Sequence, residues 1–135
     1  MVRAVVDTNV LVSALTHNGK PRTLLLGLLE AHTVILSRQM LAELADVLSR
    51  SKFGISNAQV DRFISSLVST CIIAPDCPRF KVVFEDPDDD VVLNVAYSGK
   101  ADYIVTGDKH LLALGRFKKT KIVAVNNLLE ALLKS

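Results

Sequence analysis

Short aliphatic runs, each followed by a stretch with helical spacing, constrain this chain more than any other feature. Val2 to Val6 is the first run. Thr33 to Leu36, Cys71 to Ala74, Asp102 to Thr106 and Thr120 to Val125 follow it. Runs this short and this apolar read as strands buried on both faces, as in a parallel sheet. The segments between them read as helices. Val10 to Leu15 is a short one, stopped by Asn18-Gly19. Pro21 restarts the chain at a first helical turn, where its missing N–H costs nothing, and Thr23 to Glu30 continues it. Ser37 is placed to cap Arg38 to Arg50. Ser56 with Gln59 forms a capping box for a helix to Ser69, with Val60, Phe63, Ile64, Leu67 and Val68 facing inward. Asp86-Pro87 opens a helix that Gly99 ends. Lys109 to Leu114 and Asn127 to Lys134, the latter capped by Asn126, complete the set. Asp76 to Phe84 reads equally as two edge strands or as a loop. The alternation predicts an α/β fold, a three-layer α/β/α sandwich with a central, mainly parallel sheet. Residues 1–135 are expected to form a single domain.

In such sheets ligands bind beyond the carboxyl ends of the strands, and that is where acids stand. Asp7 follows the first strand and Asp108 the fourth. Five of the 14 acids, Glu85, Asp86, Asp88, Asp89 and Asp90, crowd the start of one helix. One or two acids there are explained by a helix cap and dipole. Five exceed that need, and like charges in one turn repel unless a cation is near. Glu43 lies off the centre of the apolar face made by Met40, Leu41, Leu44, Val47 and Leu48. Taken singly, Asp7 is a turn former, Asp108 a helix cap and Glu43 a solvated side chain. Together they form an oxygen-donor set suited to Mg²⁺ or Mn²⁺. His17, His32 and His110 are scattered and read as surface residues. His110 alone stands near an acid of the set.

Composition excludes several classes of function. Aromatic residues make up 5% of the chain, too few for base-stacking recognition surfaces. Net charge is +2. With several acids committed to an ion, the remaining surface is more positive and mildly favours a polyanionic partner. Cys71 and Cys77 fit neither a zinc pattern nor a redox pair. They read as partly buried thiols of a cytoplasmic protein. No apolar run approaches the ~18 residues of a membrane span. The N-terminus, with an acid at position 7, does not read as a signal peptide.

Four separated stretches, VVDTNVLVSAL, LAELADVL, DPDDDVVLNVA and ADYIVTGDKHLLAL, resemble the successive signatures of the PIN domain family, in order and spacing. The resemblance runs from Val5 to about Asn126. It implies a compact α/β/α domain, commonly a homodimer. It further implies a Mg²⁺- or Mn²⁺-dependent ribonuclease, and for small prokaryotic members the toxin of a toxin–antitoxin pair with a cognate antitoxin as partner. Carried over residue by residue, the family's acids fall on Asp7, Glu43, Asp89 and Asp108. Asp90 rivals Asp89, which is preferred because members often carry a neutral residue at the position of Asp90. Asp86 resembles an additional acid of second rank. Thr8, Asn9 and Thr106 resemble the polar residues that orient the acids. Arg116 and Lys118, Lys119 and Lys121 follow Asp108 closely and are candidates for contacts with RNA backbone, or an ordinary solvated loop.

Two other readings compete. A phosphotransferase with Asp7 as nucleophile needs a second acid two residues on, where this chain has Asn9. A non-catalytic RNA- or antitoxin-binding module would keep the fold without needing the acids. A dinucleotide site is not supported, since no Gly-rich turn follows Val6.

Overall fold

The computed structural model describes residues 1–75 and 87–134, with residues 51 and 87–89 described in backbone only. Strand β1 is Arg3–Val6, β2 Thr33–Ser37, β3 Ile72–Ala74, β4 Tyr103–Val105, β5 Arg116–Phe117 and β6 Thr120–Val123. They form one sheet in the order β3-β2-β1-β4-β6-β5. Every neighbouring pair is parallel except β5 with β6, which is antiparallel. Helices α1 (Thr8–Thr16), α2 (Lys20–Ala31), α3 (Arg38–Leu48), α4 (Asn57–Thr70), α5 (Pro87–Ser98), α6 (Lys109–Leu114) and α7 (Val125–Leu133) flank it. The expected sandwich with a mainly parallel sheet is what the chain adopts.

Val5, Ile35, Leu36 and Ile104 are fully buried, as strands covered on both faces require. Leu24, Leu28, Leu44, Leu93 and Leu128 bring the helices down onto them. No aromatic side chain is fully buried among the described residues, in keeping with a core of Leu, Ile, Val and Ala. The Ser37 cap and the Ser56–Gln59 capping box both form. Among the described residues, no helix is long and apolar enough to cross a membrane.

Several local expectations need correction. Helix α1 starts at Thr8, so Asp7 stands at its N-cap position, earlier than the apolar spacing indicates. Helix α7 starts at Val125 behind Ala124, so Asn126 does not cap it. Val68 is half-exposed, because α4 buries chiefly Val60 and Leu67. His32 is not a free surface residue. Its Nδ1 accepts the Val2 N–H at 2.9 Å, tying the end of α2 to the start of β1. Strand β5 was not expected, since two residues carry no periodicity. The stretch Asp76 to Phe84 and Cys77 lie outside the described residues. Cys71 is partly buried, as expected, and burial pushes its thiol up from the ordinary value.

The end of α5 also differs from what the spacing predicts. Lys100 N–H donates to the Tyr97 carbonyl (3.3 Å) and Ala101 N–H to the Ala96 carbonyl (2.9 Å). This is a Schellman arrangement, in which the residue in left-handed backbone closes the helix. That residue is Lys100, at φ 54°, and not Gly99. Left-handed backbone strains an L-residue with a Cβ. Lys100→Gly is therefore expected to stabilise the fold by roughly 0.5–1 kcal/mol, read as a higher midpoint in chemical denaturation.

Candidate active site

The sheet register fixes the site. Val6 pairs with Val105, and Val105 with Val123. Strands β1 and β4 therefore end level with one another at the carboxyl rim, side by side at the sheet's centre. Asp7 continues the ladder one step further, donating its N–H to the Val105 carbonyl at 2.9 Å. Its backbone stays extended before α1 begins, and its carboxylate makes no capping bond to that helix. Asp7 is 8% exposed. A carboxylate so buried needs a donor.

Thr106, fully buried at the end of β4, is that donor. Its hydroxyl donates to Asp7 Oδ2 at 2.6 Å, and the same oxygen accepts the Asp108 N–H at 3.0 Å. One hydroxyl thus fixes the Asp7 carboxylate and the backbone that carries Asp108. Asp108 caps α6, with Oδ1 accepting the N–H groups of His110 (2.7 Å) and Leu111 (3.2 Å). Both capping bonds fall on Oδ1. The exposed His110 ring lies 3.8 Å from that same oxygen. The expectation that Asp7 and Asp108 share one rim is met, and they are joined by Thr106 between them.

Thr8 is buried in the first turn of α1, and Asn9 is exposed. Among the described residues neither side chain hydrogen-bonds to Asp7 or Asp108. Of the three polar residues expected to orient the acids, Thr106 does so. Glu43 is half-buried in the second turn of α3, which packs against α1 and α5. Asp89 and Asp90 lie in the first turn of α5, which packs on β1, β2 and β4. Asp90 is half-buried, and its carbonyl accepts the Asn94 side chain at 2.7 Å. The side chain of Asp89, and all of Asp86, lie outside what the structure describes.

Among the described residues no three of His, Cys, Asp and Glu form a group that could hold a metal ion. The donors nonetheless fit a hard divalent cation. They are carboxylate oxygens, one of them buried and pre-oriented by a hydroxyl. Helix N-termini at Asp7 and Asp108 add positive potential at the rim.

Arg116, Lys118 and Lys119 stand elsewhere. Strand β6 runs toward the carboxyl rim, so the turn joining β5 to β6 lies at the opposite, amino edge of the sheet. Lys121 is level with Tyr103, and Arg116 with Lys121. A cation that sequence reasoning missed is on the active rim instead. Arg38, at the start of α3, lines a cavity of about 400 Å³ with Ile73, Ala74 and Pro75. The signal that could have found it is its place directly after β2, at the same carboxyl ends that carry the acids.

Comparison with known proteins agrees with this fold. Residues 3–110 match the model of the PIN domain. That span holds every acid of the candidate site and stops short of Arg116. A protein of Methanocaldococcus jannaschii, described as uncharacterized protein MJ1680, is 34% identical over 133 residues, covering 94% of this chain and 83% of its own. Among solved structures, the crystal structure of VapBC2 from Rickettsia felis bound to a DNA fragment from their promoter is similar in fold. It has a TM-score of 0.64 at 20% identity, over 90% of this chain and 98% of that one. The match from β1 into α6 shows that the chain belongs to the PIN domain family.

Proposed function

We propose that the protein is a divalent-metal-dependent ribonuclease that hydrolyses RNA phosphodiester bonds. The observation that carries this reading is the Asp7–Thr106–Asp108 arrangement at the centre of the carboxyl rim. Asp7, Glu43, Asp89 and Asp108 would hold one or two ions of Mg²⁺ or Mn²⁺, with Asp86 in a second rank and Asp90 as the alternative to Asp89. What an ion bound there supplies is Lewis acidity toward a phosphate oxygen and a more acidic water. The chain's own part is to hold the carboxylates fixed. Thr106 keeps Asp7 oriented, and the α6 cap commits one oxygen of Asp108 to backbone. With the acids uncompensated the rim repels RNA, so substrate binding at the rim depends on the same ion.

The PIN family supports a nuclease. The further reading, a cytoplasmic toxin neutralised by a cognate antitoxin and acting as a homodimer, draws on the family resemblance. It also draws on likeness to a structure described as a VapBC2 complex. A non-catalytic RNA- or antitoxin-binding module is the alternative.

Incubation of a labelled RNA pool with Mg²⁺, Mn²⁺ or EDTA tests the proposal. Cleavage is expected with either metal and none with EDTA. Because no 2′-hydroxyl acts as nucleophile, the products should carry 5′-phosphate and 3′-hydroxyl ends. A 2′,3′-cyclic phosphate would sink the mechanism.

A further inference from the structure

Among the described residues, the two non-glycine positions with left-handed backbone are both lysines: Lys100 at φ 54° and Lys118 at φ 57°. They lie on adjacent loops at the amino edge of the sheet. Lys100 leads into β4, and Lys118 opens the turn from β5 to β6. The loops are laced together. Thr120 Oγ1 donates to the Ala101 carbonyl at 2.8 Å, and Lys121 N–H to the Asp102 carbonyl at 3.0 Å. Lys119, Lys121 and Arg116 are exposed at the same edge. The Lys118 ammonium lies 5.8 Å from the centroid of the Phe117 ring. Asp102 is the acid of these loops, and its Oδ2 accepts the Arg3 N–H at 2.9 Å. Glycine or asparagine would sit at both left-handed positions with less strain. Two lysines there join local strain to a concentration of positive charge, a combination that marks functional surface.

We propose that the amino edge of β4 and β6 is a second RNA-backbone site, which holds the flank of a substrate whose scissile phosphate lies at the carboxyl rim. This rests on the ribonuclease reading and adds where the substrate goes beyond the acids. Strands of three or four residues separate the two edges by roughly 10–13 Å, a span that a flexible strand covers in a few nucleotides. The outermost strand, β5, has two residues and carries exposed Arg116, so the way round the sheet is short and lined by a cation. An acidic protein partner fits less well. Protein interfaces are anchored by buried apolar and aromatic side chains, and none of the large exposed ones lies on these two loops. Repeating phosphates need no such anchor.

The test is fluorescence anisotropy of a labelled single-stranded RNA of about 20 nucleotides in EDTA, where metal-dependent cleavage is off. The Lys100→Gly/Lys118→Gly variant removes both charges and both strained positions. Its melting midpoint is expected to rise by roughly 3–6 °C, while RNA binds about fivefold to tenfold more weakly. The slope of log affinity against log salt should fall by about 1.4, or ~0.7 for each phosphate no longer neutralised. Lys119→Glu should weaken binding without raising the midpoint. Unchanged affinity and slope in the double variant would overturn the proposal. So would a polyglutamate peptide binding at this edge while RNA does not, which would assign it to an acidic protein. With Mg²⁺, KM for the same RNA should rise in the double variant and kcat should not change. Absence of cleavage by wild type would count against the ribonuclease, whereas the anisotropy result decides this second site separately.

Discussion

Asp7→Asn is expected to reduce metal-dependent RNA cleavage by at least ~10³-fold while leaving the fold intact. The substitution is nearly isosteric, and the amide oxygen still accepts the Thr106 hydroxyl that now reaches Oδ2 at 2.6 Å. It removes the charge, and the charge is what a divalent ion requires. Cleavage and thermal midpoint should be measured on the same preparation. Lost cleavage with an unchanged midpoint places Asp7 in the chemistry. Undiminished cleavage would mean a contaminant or a different acid. Thr106→Val should be milder, about 10–100-fold, the usual effect of removing a group that orients a metal ligand. It breaks the bond to Asp7 and the bond from the Asp108 N–H together. Thr106→Ser keeps the hydroxyl and should restore most of the activity; if it does not, the methyl group and not the hydrogen bonds matters at this position.

Gly99→Val should destabilise the protein by about 3 kcal/mol, at the upper end of what overpacking a close-packed site costs. A Cβ at Gly99 would stand 2.7 Å from Ile35 Cγ2 and 3.1 Å from the Val95 carbonyl oxygen. Ile35 is fully buried in β2 and cannot retreat. The Gly99 carbonyl also accepts Arg3 Nη2 at 2.7 Å and Nε at 3.2 Å, so displacing it disturbs the cation at the end of α5. Neighbouring positions thus respond in opposite directions, with substitution harmful at Gly99 and glycine beneficial at Lys100. A denaturation series reads both. A neutral Gly99→Val would show that α5 can shift on β2, contrary to the close packing of Gly99 on Ile35.

The acids at strand ends were legible because two rules converge on them. Parallel strands announce themselves as short apolar runs, and their carboxyl ends gather ligands. Asp7 and Asp108 satisfy both rules from local sequence. The bond that joins them was not legible in the same way, since Thr106 lies 99 residues from Asp7 and only sheet order brings them together. The position of the basic segment after Asp108 was not legible for a related reason. Nearness in sequence suggested nearness to the acids, yet α6 and the two-residue β5 carry the chain away to the other edge. Gly99 was legible as a helix end, but its reason, contact with Ile35, belongs to packing. Asn9 was carried over from a motif, and motif position does not say which way an exposed side chain in a helical turn faces.

The central place of β1 bears on when the acids of the carboxyl rim come together. On the ribosome the chain can lay β1 beside β2, and β2 beside β3, while α5 and β4 are still untranslated. Through that interval one edge of β1 has no neighbour and Asp7 has no Thr106. Pairing so distant in sequence forms slowly and late. A truncated or stalled nascent chain therefore carries the first acid without its Thr106 partner, and the proposed hydrolytic capacity arrives with the last third of translation.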